Sequence, residues 1–312
     1  MALPTVSVVI PASRAADAID ASLEAIQRQD YSGRIDIVVA AADRATAAAA
    51  MRRGATVVEN PTGSTPAGLN LAIAESNGDV IVRVDAHAEI PPDYVSSVVR
   101  ILEDTGADNV GGMQVPVGRN FWERAIAEAM ASPVGSGNAR YRIGGVAGPV
   151  ETVYLGAYPR STLQRLGGFD GRFIRNQDFE LNQRIRASGG VVWFDPSLRV
   201  QYRPRGSLTA LARQYFGYGT WKRAFARVHP GSLQLRQIVP PALVLALIVA
   251  LALSLVWPLF LLVPAGYLAG LVIAGVFAVP RARTASIGVP AALATMHLSW
   301  GLGFWFGQTR ER

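Results

Sequence analysis

A chain of 312 residues holds one large domain or a medium domain with an appendage, and this one is half hydrophobic, with a mean hydropathy of +0.23 that is high for a purely soluble enzyme. It has no cysteine, which excludes disulfides, thiolate metal sites and thiol nucleophiles. Its net charge of +7 conceals a division: residues 1–195 carry 18 Lys+Arg against 22 Asp+Glu, a net of −4, whereas residues 196–312 carry 12 basic residues and one acid, Glu311, a net of +11.

The N-terminal MALPTVSVVIP lacks a basic n-region, and its apolar run is too short for a signal peptide core, so the catalytic part is expected in the cytoplasm. Val6–Ile10 reads as a short β-branched strand, followed by a helix over Ala15–Gln29 and a strand at Ile35–Ala40. A helix at Ala45–Arg53, a strand at Ala55–Glu59, a helix at Pro66–Ser76 and a strand at Asp79–Val84 come next. This alternation predicts an α/β fold with a mostly parallel sheet covered on both faces. Ligands of such sheets collect at the carboxyl ends of the strands.

One of those ends reads VIVRVDAHAEI, residues 80–90. Asp85 and His87 have a plain structural reading as a helix N-cap and a surface histidine ahead of the helix that Pro91 and Pro92 introduce. The functional reading places both on one side of an extended segment, where a carboxylate and an imidazole can hold Mg²⁺ or Mn²⁺ and through it a nucleotide diphosphate. A second stretch, NQDFELNQRIRASGG at 176–190, opens with Asp178 and Glu180 and closes with Arg184 and Arg186. That order complements a helix dipole, but it also leaves a carboxylate at a helix start beside a glycine-punctuated loop, placed for proton abstraction.

A third stretch, ARQYFGYGTWKRAF at 212–225, mixes aromatics and cations. It reads as an interfacial helix whose cations snorkel among headgroups, or as a segment that in addition contacts a diphosphate through Arg213, Gln214, Tyr218, Lys222 and Arg223. Three apolar segments follow, Ile238–Val256, Pro258–Val279 and Ser286–Phe306, each near the roughly 20 residues that cross a bilayer. Basic residues running directly into apolar segments suit a membrane surface and argue against nucleic acid. Arg203–Arg236 and the pair Arg281 and Arg283 fall on one side if the first two segments form a hairpin, and that side is expected to be cytoplasmic. The third segment, with His297, Ser299 and several glycines, either spans, which would put Gln308–Arg312 outside, or lies against the other two. The expected domains are therefore a catalytic domain over 1–200, a basic interfacial segment over 201–237 and a membrane domain over 238–312.

Taken in order, VSVVIPAS (6–13), NPTGSTPAGLNLAI (60–73), VIVRVDAHAEIPPDYV (80–95), ETVYLGAYPRSTLQRLGGFD (151–170), NQDFELNQRIRASGG and RQYFGYG (213–219) resemble the inverting glycosyltransferases of family two, whose catalytic domain has the GT-A fold. Within that family the chain looks most like bacterial succinoglycan-type exopolysaccharide glucosyltransferases. The resemblance implies that Asp85 is the metal-binding aspartate of a D-x-D motif with His87 in place of its second aspartate. It implies that Asp178 is the catalytic base, with Gln177 where Glu is common. Pro11, Ala12, Ser13, Asn70, Arg83 and Ala86 fall on the nucleotide and donor side, and Gly156 and Ala157 near donor sugar and acceptor. Two departures stand out. IVVAAAD puts Ala40 where the family usually has an aspartate at the nucleotide, leaving Asp43 as the nearest acid, and Gly217-Tyr218 follow Gln214 where processive synthases carry Arg-Trp.

The function implied is inverting transfer of a sugar from a nucleotide sugar, a UDP-sugar by resemblance, to a lipid-linked acceptor at the inner face of the plasma membrane. Two alternatives stay open at this point. One is glycosylation of a bare polyprenyl phosphate. The other is a membrane scaffold that kept the fold and lost the chemistry, which Ala40 and Gln177 favour.

Overall fold

The computed structural model describes residues 3–277 and 285–309. Arg281, Arg283, Val279 and Arg310–Arg312, on which part of the topology argument rests, lie outside the described residues. In chain order the elements are β1 (Val6–Ala12), α1 (Ile19–Gln27), β2 (Ile35–Ala41), α2 (Arg44–Arg52), β3 (Thr56–Glu59), α3 (Thr65–Glu75), β4 (Val80–Arg83) and α4 (Tyr94–Thr105). Next come β5 (Asn109–Pro116), α5 (Phe121–Ala131), two single turns α6 (Pro133–Ser136) and α7 (Arg140–Ile143), β6 (Gly148–Pro149), β7 (Tyr154–Pro159) and α8 (Arg160–Leu166). The chain ends with α9 (Gln177–Ala187), β8 (Val192–Tyr202), α10 (Leu208–Val228), α11 (Leu235–Ser254), α12 (Leu262–Phe277) and α13 (Val289–Phe306).

These elements form two compact units, 1–114 with 144–201 and 115–143 with 202–312. Residues 115–143, expected inside the catalytic domain, thus belong with the C-terminal unit. The capping box at the start of α5 makes this stretch a helix in its own right. The Asn120 side chain accepts from the Glu123 N–H at 2.8 Å, and Glu123 Oε2 accepts from the Arg119 N–H at 2.7 Å.

The first unit is built on a sheet of order β3-β2-β1-β4-β7-β5-β8-β6. It is parallel from β3 to β4, and β7 then pairs antiparallel with both β4 and β5. Val8 sits opposite Ile37 on one side and Val82 on the other. On one face Val8, Ile10, Val39 and Val82 pack with Ile19, Leu23 and Ile26 of α1 and Val95, Val98 and Leu102 of α4. Each such side chain stabilises the fold by roughly 1.5–3 kcal/mol on full burial. On the other face α3 lies so close to β2 that a Cβ on Gly68 would reach the Ala40 Cβ at 3.4 Å and Asn60 Nδ2 at 2.7 Å. The chain leaves β1 towards β2 on one side and reaches β4 on the other, so a crevice opens at the carboxyl ends of β1 and β4.

In the second unit three helical segments, Leu235–Ser254, Pro258–Val276 and Ser286–Phe306, are long and apolar enough to cross a membrane. They are not equally covered. About 39 % of the apolar window in the third is buried within the protein, against 22 % and 11 % in the first two. α13 packs on α10 with helix backbones in close approach: a Cβ on Gly219 would lie 2.0 Å from the Trp300 carbonyl, and one on Gly303 2.0 Å from that of Phe216. Near its start, Pro290 meets Gly275 at the end of α12. Near its end, Gly301 meets Pro240 in the second turn of α11, and Trp305 Nε1 donates to the Pro241 carbonyl at 2.9 Å.

Candidate active site

The crevice carries one charged constellation. β4 ends on Arg83, whose guanidinium is buried and joins two carboxylates 93 residues apart in the chain. Its Nη2 donates to Asp85 Oδ1 at 2.8 Å, and its Nη1 donates to Asp178 Oδ1. Asp85 and Asp178 therefore meet at one guanidinium rather than standing apart. Their side chains remain 21 % and 35 % exposed, so both are open to a ligand.

Local structure explains the placement. The strand stops at Arg83, and the Ala88 N–H donates to the Asp85 carbonyl at 2.9 Å, so Asp85, Ala86 and His87 lie in a tight turn and not in the extended segment expected from the sequence. The turn still leaves His87 exposed and near enough for its charge to act on Asp85. Asp178 stands in the first turn of α9, entered through Asn176 at φ 64°, a left-handed conformation that asparagine adopts readily. Gln177 is buried as the first residue of α9.

The two carboxylates are tuned in opposite directions. Burial acts to raise Asp85, but Arg83 and then His87 outweigh it and hold the carboxyl below its usual range. For Asp178 burial dominates. It pushes the carboxyl up, Arg83 opposes the rise, and the negative charge of Asp85 adds to it. One acid is thus favoured in its ionised form, while the other has a raised proton affinity.

Beneath this pair lies a buried polar layer that sequence reasoning missed. Asn109 Nδ2 donates to Asn182 Oδ1 at 2.6 Å, and Asn182 Nδ2 donates to Thr152 Oγ1 at 3.0 Å. The Tyr158 hydroxyl lies close to Asn109 and feels both Asp178 and Arg83. A Cβ on Gly156 would strike the Tyr158 hydroxyl at 2.5 Å and Asn109 Oδ1 at 2.6 Å, so glycine here makes room for that layer. Leu155 beside it is held at φ 46° with its carbonyl accepting from Tyr94 Oη at 2.9 Å, a local strain of the kind that gathers at functional sites. The signal available in the sequence was an asparagine and a tyrosine inside otherwise apolar strands, which is weak alone.

Several expected site residues are used differently. Pro11, Ala12 and Ser13 do stand at the carboxyl end of β1, with Ser13 exposed. Ala86 is buried in the core behind the turn, and Ala157 is buried opposite Val82, so their side chains serve packing. Asn70 is a clamp: its amide donates to the Phe169 carbonyl at 2.7 Å and accepts from the Phe169 N–H at 2.8 Å. Asp43 caps α2 by accepting from the Thr46 N–H at 2.9 Å, and its other oxygen accepts from the Arg14 N–H at 2.7 Å. Those backbone bonds, Thr46 first, hold it below the usual carboxylate range. Asp43 therefore shapes the Ser13–Arg14 loop rather than standing free for a nucleotide. The Ala40 departure has a packing reason as well: it is fully buried under Gly68 of α3, where a carboxylate would be enclosed.

The residues expected on the acceptor side belong to α10, in the second unit. Arg213 is exposed, and the Gln214 amide donates to the hydroxyls of Tyr202 at 3.1 Å and Tyr218 at 3.0 Å. Lys222, the chain's one lysine, is buried with its ammonium 4.8 Å from the Phe225 ring centroid. Arg223 is engaged otherwise than expected. Its guanidinium donates to the carbonyls of Trp305, at 2.6 Å, and Gly307, closing the C-terminal end of α13.

A divalent ion fits the donor chemistry at Asp85. Arg83 takes only Oδ1, which leaves Oδ2 and the exposed His87 ring as ligands. Among the described residues no cluster of three His, Cys, Asp or Glu forms a closed cage. Mg²⁺ and similar ions are held in just this manner, by one or two protein ligands with phosphate oxygens and water completing the shell.

Comparison with known proteins identifies the family. The model of the family described as "Glycosyl transferase family 2" matches residues 7–167. The chain is 32 % identical over 253 residues, 80 % of its length and 76 % of the relative's, to the succinoglycan biosynthesis protein ExoA of Rhizobium meliloti (strain 1021). It is 26 % identical over 164 residues, 51 % of each chain, to a dolichyl N-acetyl-α-D-glucosaminyl phosphate 3-β-D-2,3-diacetamido-2,3-dideoxy-β-D-glucuronosyltransferase of Methanococcus voltae. Among solved structures, the mannosyltransferase PcManGT of Pyrobaculum calidifontis, in complex with GDP-Man and Mn²⁺, superimposes with a TM-score of 0.60 at 21 % identity, covering 97 % of this chain and 87 % of that one. With Asp85 and Asp178 meeting at the strand ends of an α/β sheet of the GT-A type, the chain belongs to glycosyl transferase family 2 and is a glycosyltransferase.

Proposed function

We propose that the protein transfers a sugar, with inversion, from a nucleotide-sugar donor to a lipid-linked saccharide in exopolysaccharide or cell-envelope synthesis, working at the cytoplasmic face of the plasma membrane. The observation that carries this reading is the shared guanidinium of Arg83, which brings an ionised carboxylate at a strand end and a carboxyl of raised proton affinity at a helix start to one cavity. Asp178 takes the proton of the acceptor hydroxyl. The hydroxyl oxygen bonds to the anomeric carbon, and the bond from that carbon to the diphosphate oxygen breaks, with its electron pair leaving on the nucleoside diphosphate. Mg²⁺ or Mn²⁺ held by Asp85 and His87 would neutralise charge on the departing diphosphate. Arg83 keeps Asp85 ionised and restrains Asp178 until an acceptor displaces the contact.

The relatives support the class of both substrates. The archaeal relative is named for a dolichyl phosphate-linked sugar acceptor, the bacterial one for succinoglycan synthesis, and the structural neighbour holds a nucleoside diphosphate sugar with Mn²⁺. A UDP-sugar is the first donor to test. The experiment is a screen of UDP- and GDP-sugars against membranes containing the protein, reading released nucleoside diphosphate with and without divalent ion. The expected outcome is release from one donor that depends on both ion and lipid extract. No ion-dependent release from any donor would overturn the reading in favour of a scaffold.

A further inference from the structure

The second unit contains a half-buried guanidinium, its Nε enclosed, without an acid beside it. Arg142, in the single turn α7, donates from Nη1 to the Tyr215 hydroxyl at 2.8 Å, and its guanidinium carbon lies 5.4 Å from the Tyr141 ring centroid. Among the described residues it makes no ion pair. Residues 115–143 and 202–309 include only two acids, Glu123 and Glu128, against thirteen Arg and Lys, four in the first stretch and nine in the second. Glu123 is already bound to Arg203, 2.9 Å away. A cation partly withdrawn from water without a counter-charge is unfavourable unless a ligand supplies one.

Buried polar atoms on the residues linked to it through Tyr215 and Tyr218 are unmatched as well. Arg142 Nε, Trp300 Nε1 and Gln214 Oε1 have no hydrogen-bond partner. Gln214 is 7 % exposed and Tyr215 3 %, and the rings of Tyr215, Tyr218 and Trp300 lie within 5.4–6.4 Å of one another. With its amide turned over, the Gln214 oxygen accepts from Tyr202 and Tyr218, and its NH₂ becomes a further unmatched donor in this aromatic cluster. An Arg with an enclosed, unsatisfied Nε–H and further unsatisfied N–H groups in the same cluster is a donor set suited to a phosphate.

We propose that Arg142, Trp300, Tyr215 and Gln214 bind the phosphate of the lipid-linked acceptor. This rests on the acceptor reading above. The lipid, as against free phosphate, is favoured by where the donors stand. Trp300 belongs to α13, which meets the last turn of α12 through Pro290 and the second turn of α11 through Gly301, and the exposed apolar residues of α11 and α12 include Leu245, Ile248, Val249, Leu268 and Val272. A phosphate head at Arg142 with a hydrocarbon tail on those faces satisfies both surfaces.

The test uses the full chain in detergent and farnesyl diphosphate as probe, with inorganic pyrophosphate and a nucleoside diphosphate as the other arms. Binding is read by tryptophan fluorescence, and acceptor and donor KM by transfer assay. Arg142→Met should weaken farnesyl diphosphate binding about ten- to a hundredfold, the effect of one lost charge-assisted hydrogen bond, and raise the acceptor KM with the donor KM unchanged. Trp300→Phe keeps the ring packing, removes one donor and should weaken binding by less, which guards against a misfolded Arg142 variant. Wild-type affinity in both variants overturns the site. Equal competition by pyrophosphate, with a raised donor KM, assigns it to free or nucleotide phosphate and likewise overturns it. Weakened lipid binding in a protein that never glycosylates such a lipid would leave the site standing and remove the acceptor reading instead.

Discussion

Arg83 decides how the two acids at the crevice behave. Were the guanidinium absent, Asp85 and Asp178 would repel each other across the cavity, and burial, already the larger influence on Asp178, would act unopposed. On the proposed mechanism the working form of Asp178 is ionised, so transfer should fall as pH drops through its raised pKa. The acid limb of kcat/KM should therefore stand above the ordinary aspartate value of about 3.9. Arg83→Met removes the charge that favours the ionised form and should move that limb upward by about 1–3 pH units. Asp178→Asn should abolish the limb and lower the rate by about 10²–10⁴. A limb unmoved in Arg83→Met would mean that Asp178 is not the titrating base. The sequence presented Arg83, Asp85 and Asp178 as candidates, because charged residues at strand and helix ends are visible in a linear pattern. It could not present their meeting at one guanidinium, which depends on how α9 returns to the sheet. Nor could it separate Asn70 and Asp43 from ligand contacts, since an amide that clamps a loop and an acid that caps a helix are the same residue types.

At the scale of elements, the parallel half of the sheet was legible because β-branched runs alternating with helices leave few other arrangements. The second half was not. β5 and β7 carry glycines that blur strand periodicity, and α5 is short with an apolar face like that of any soluble helix. Glu123 is what fixes α5. It closes the capping box and accepts from Arg203 Nε at 2.9 Å with only 3 % of its side chain exposed. Arg203, followed by the Arg119 and Asn120 N–H groups, holds its carboxyl below the usual range. A depressed folded-state pKa gives stability that is present above the unfolded value of about 4.3 and is lost as pH falls through the folded one. Glu123→Gln keeps a capping residue but loses the charge, so it should destabilise the second unit by about 1–3 kcal/mol near neutral pH. Thermal melts in detergent should show a gap between wild type and variant that is constant from pH 6 to 8 and closes below pH ~4. A gap that persists undiminished at low pH would mean that shape, not charge, is what Glu123 supplies.

For the whole molecule the open question in the sequence was the third apolar segment, and hydropathy could not answer it because length and composition are silent about neighbours. The contacts within the second unit bear on it. In a hairpin α11–α12, the first turns of α11 and the last turn of α12 lie on one side of the bilayer. α13 meets both: Pro290 near its start touches Gly275 of α12, and Gly301 and Trp305 towards its end touch Pro240 and Pro241 of α11. A helix fully crossing the membrane beside that hairpin would reach the opposite turn, 255–257, with one of its ends. Arg223 adds to the argument, because it ties the end of α13 to α10, a helix whose four basic residues, Arg213, Lys222, Arg223 and Arg227, disfavour the hydrocarbon. We therefore expect two crossings, with α13 lying across their base and its greater burial explained by the protein around it. The absence of cysteine makes this directly measurable. Single substitutions Arg227→Cys, Val256→Cys and Gln308→Cys would be labelled with an impermeant maleimide in sealed vesicles of known sidedness. Val256→Cys, 86 % exposed at the hairpin turn, should label from the outer face, and the other two only from the cytoplasmic face, which the basic residues select. If Gln308→Cys labelled together with Val256→Cys, α13 would be a third crossing, and the phosphate site at Trp300 would have to be reached from within the bilayer.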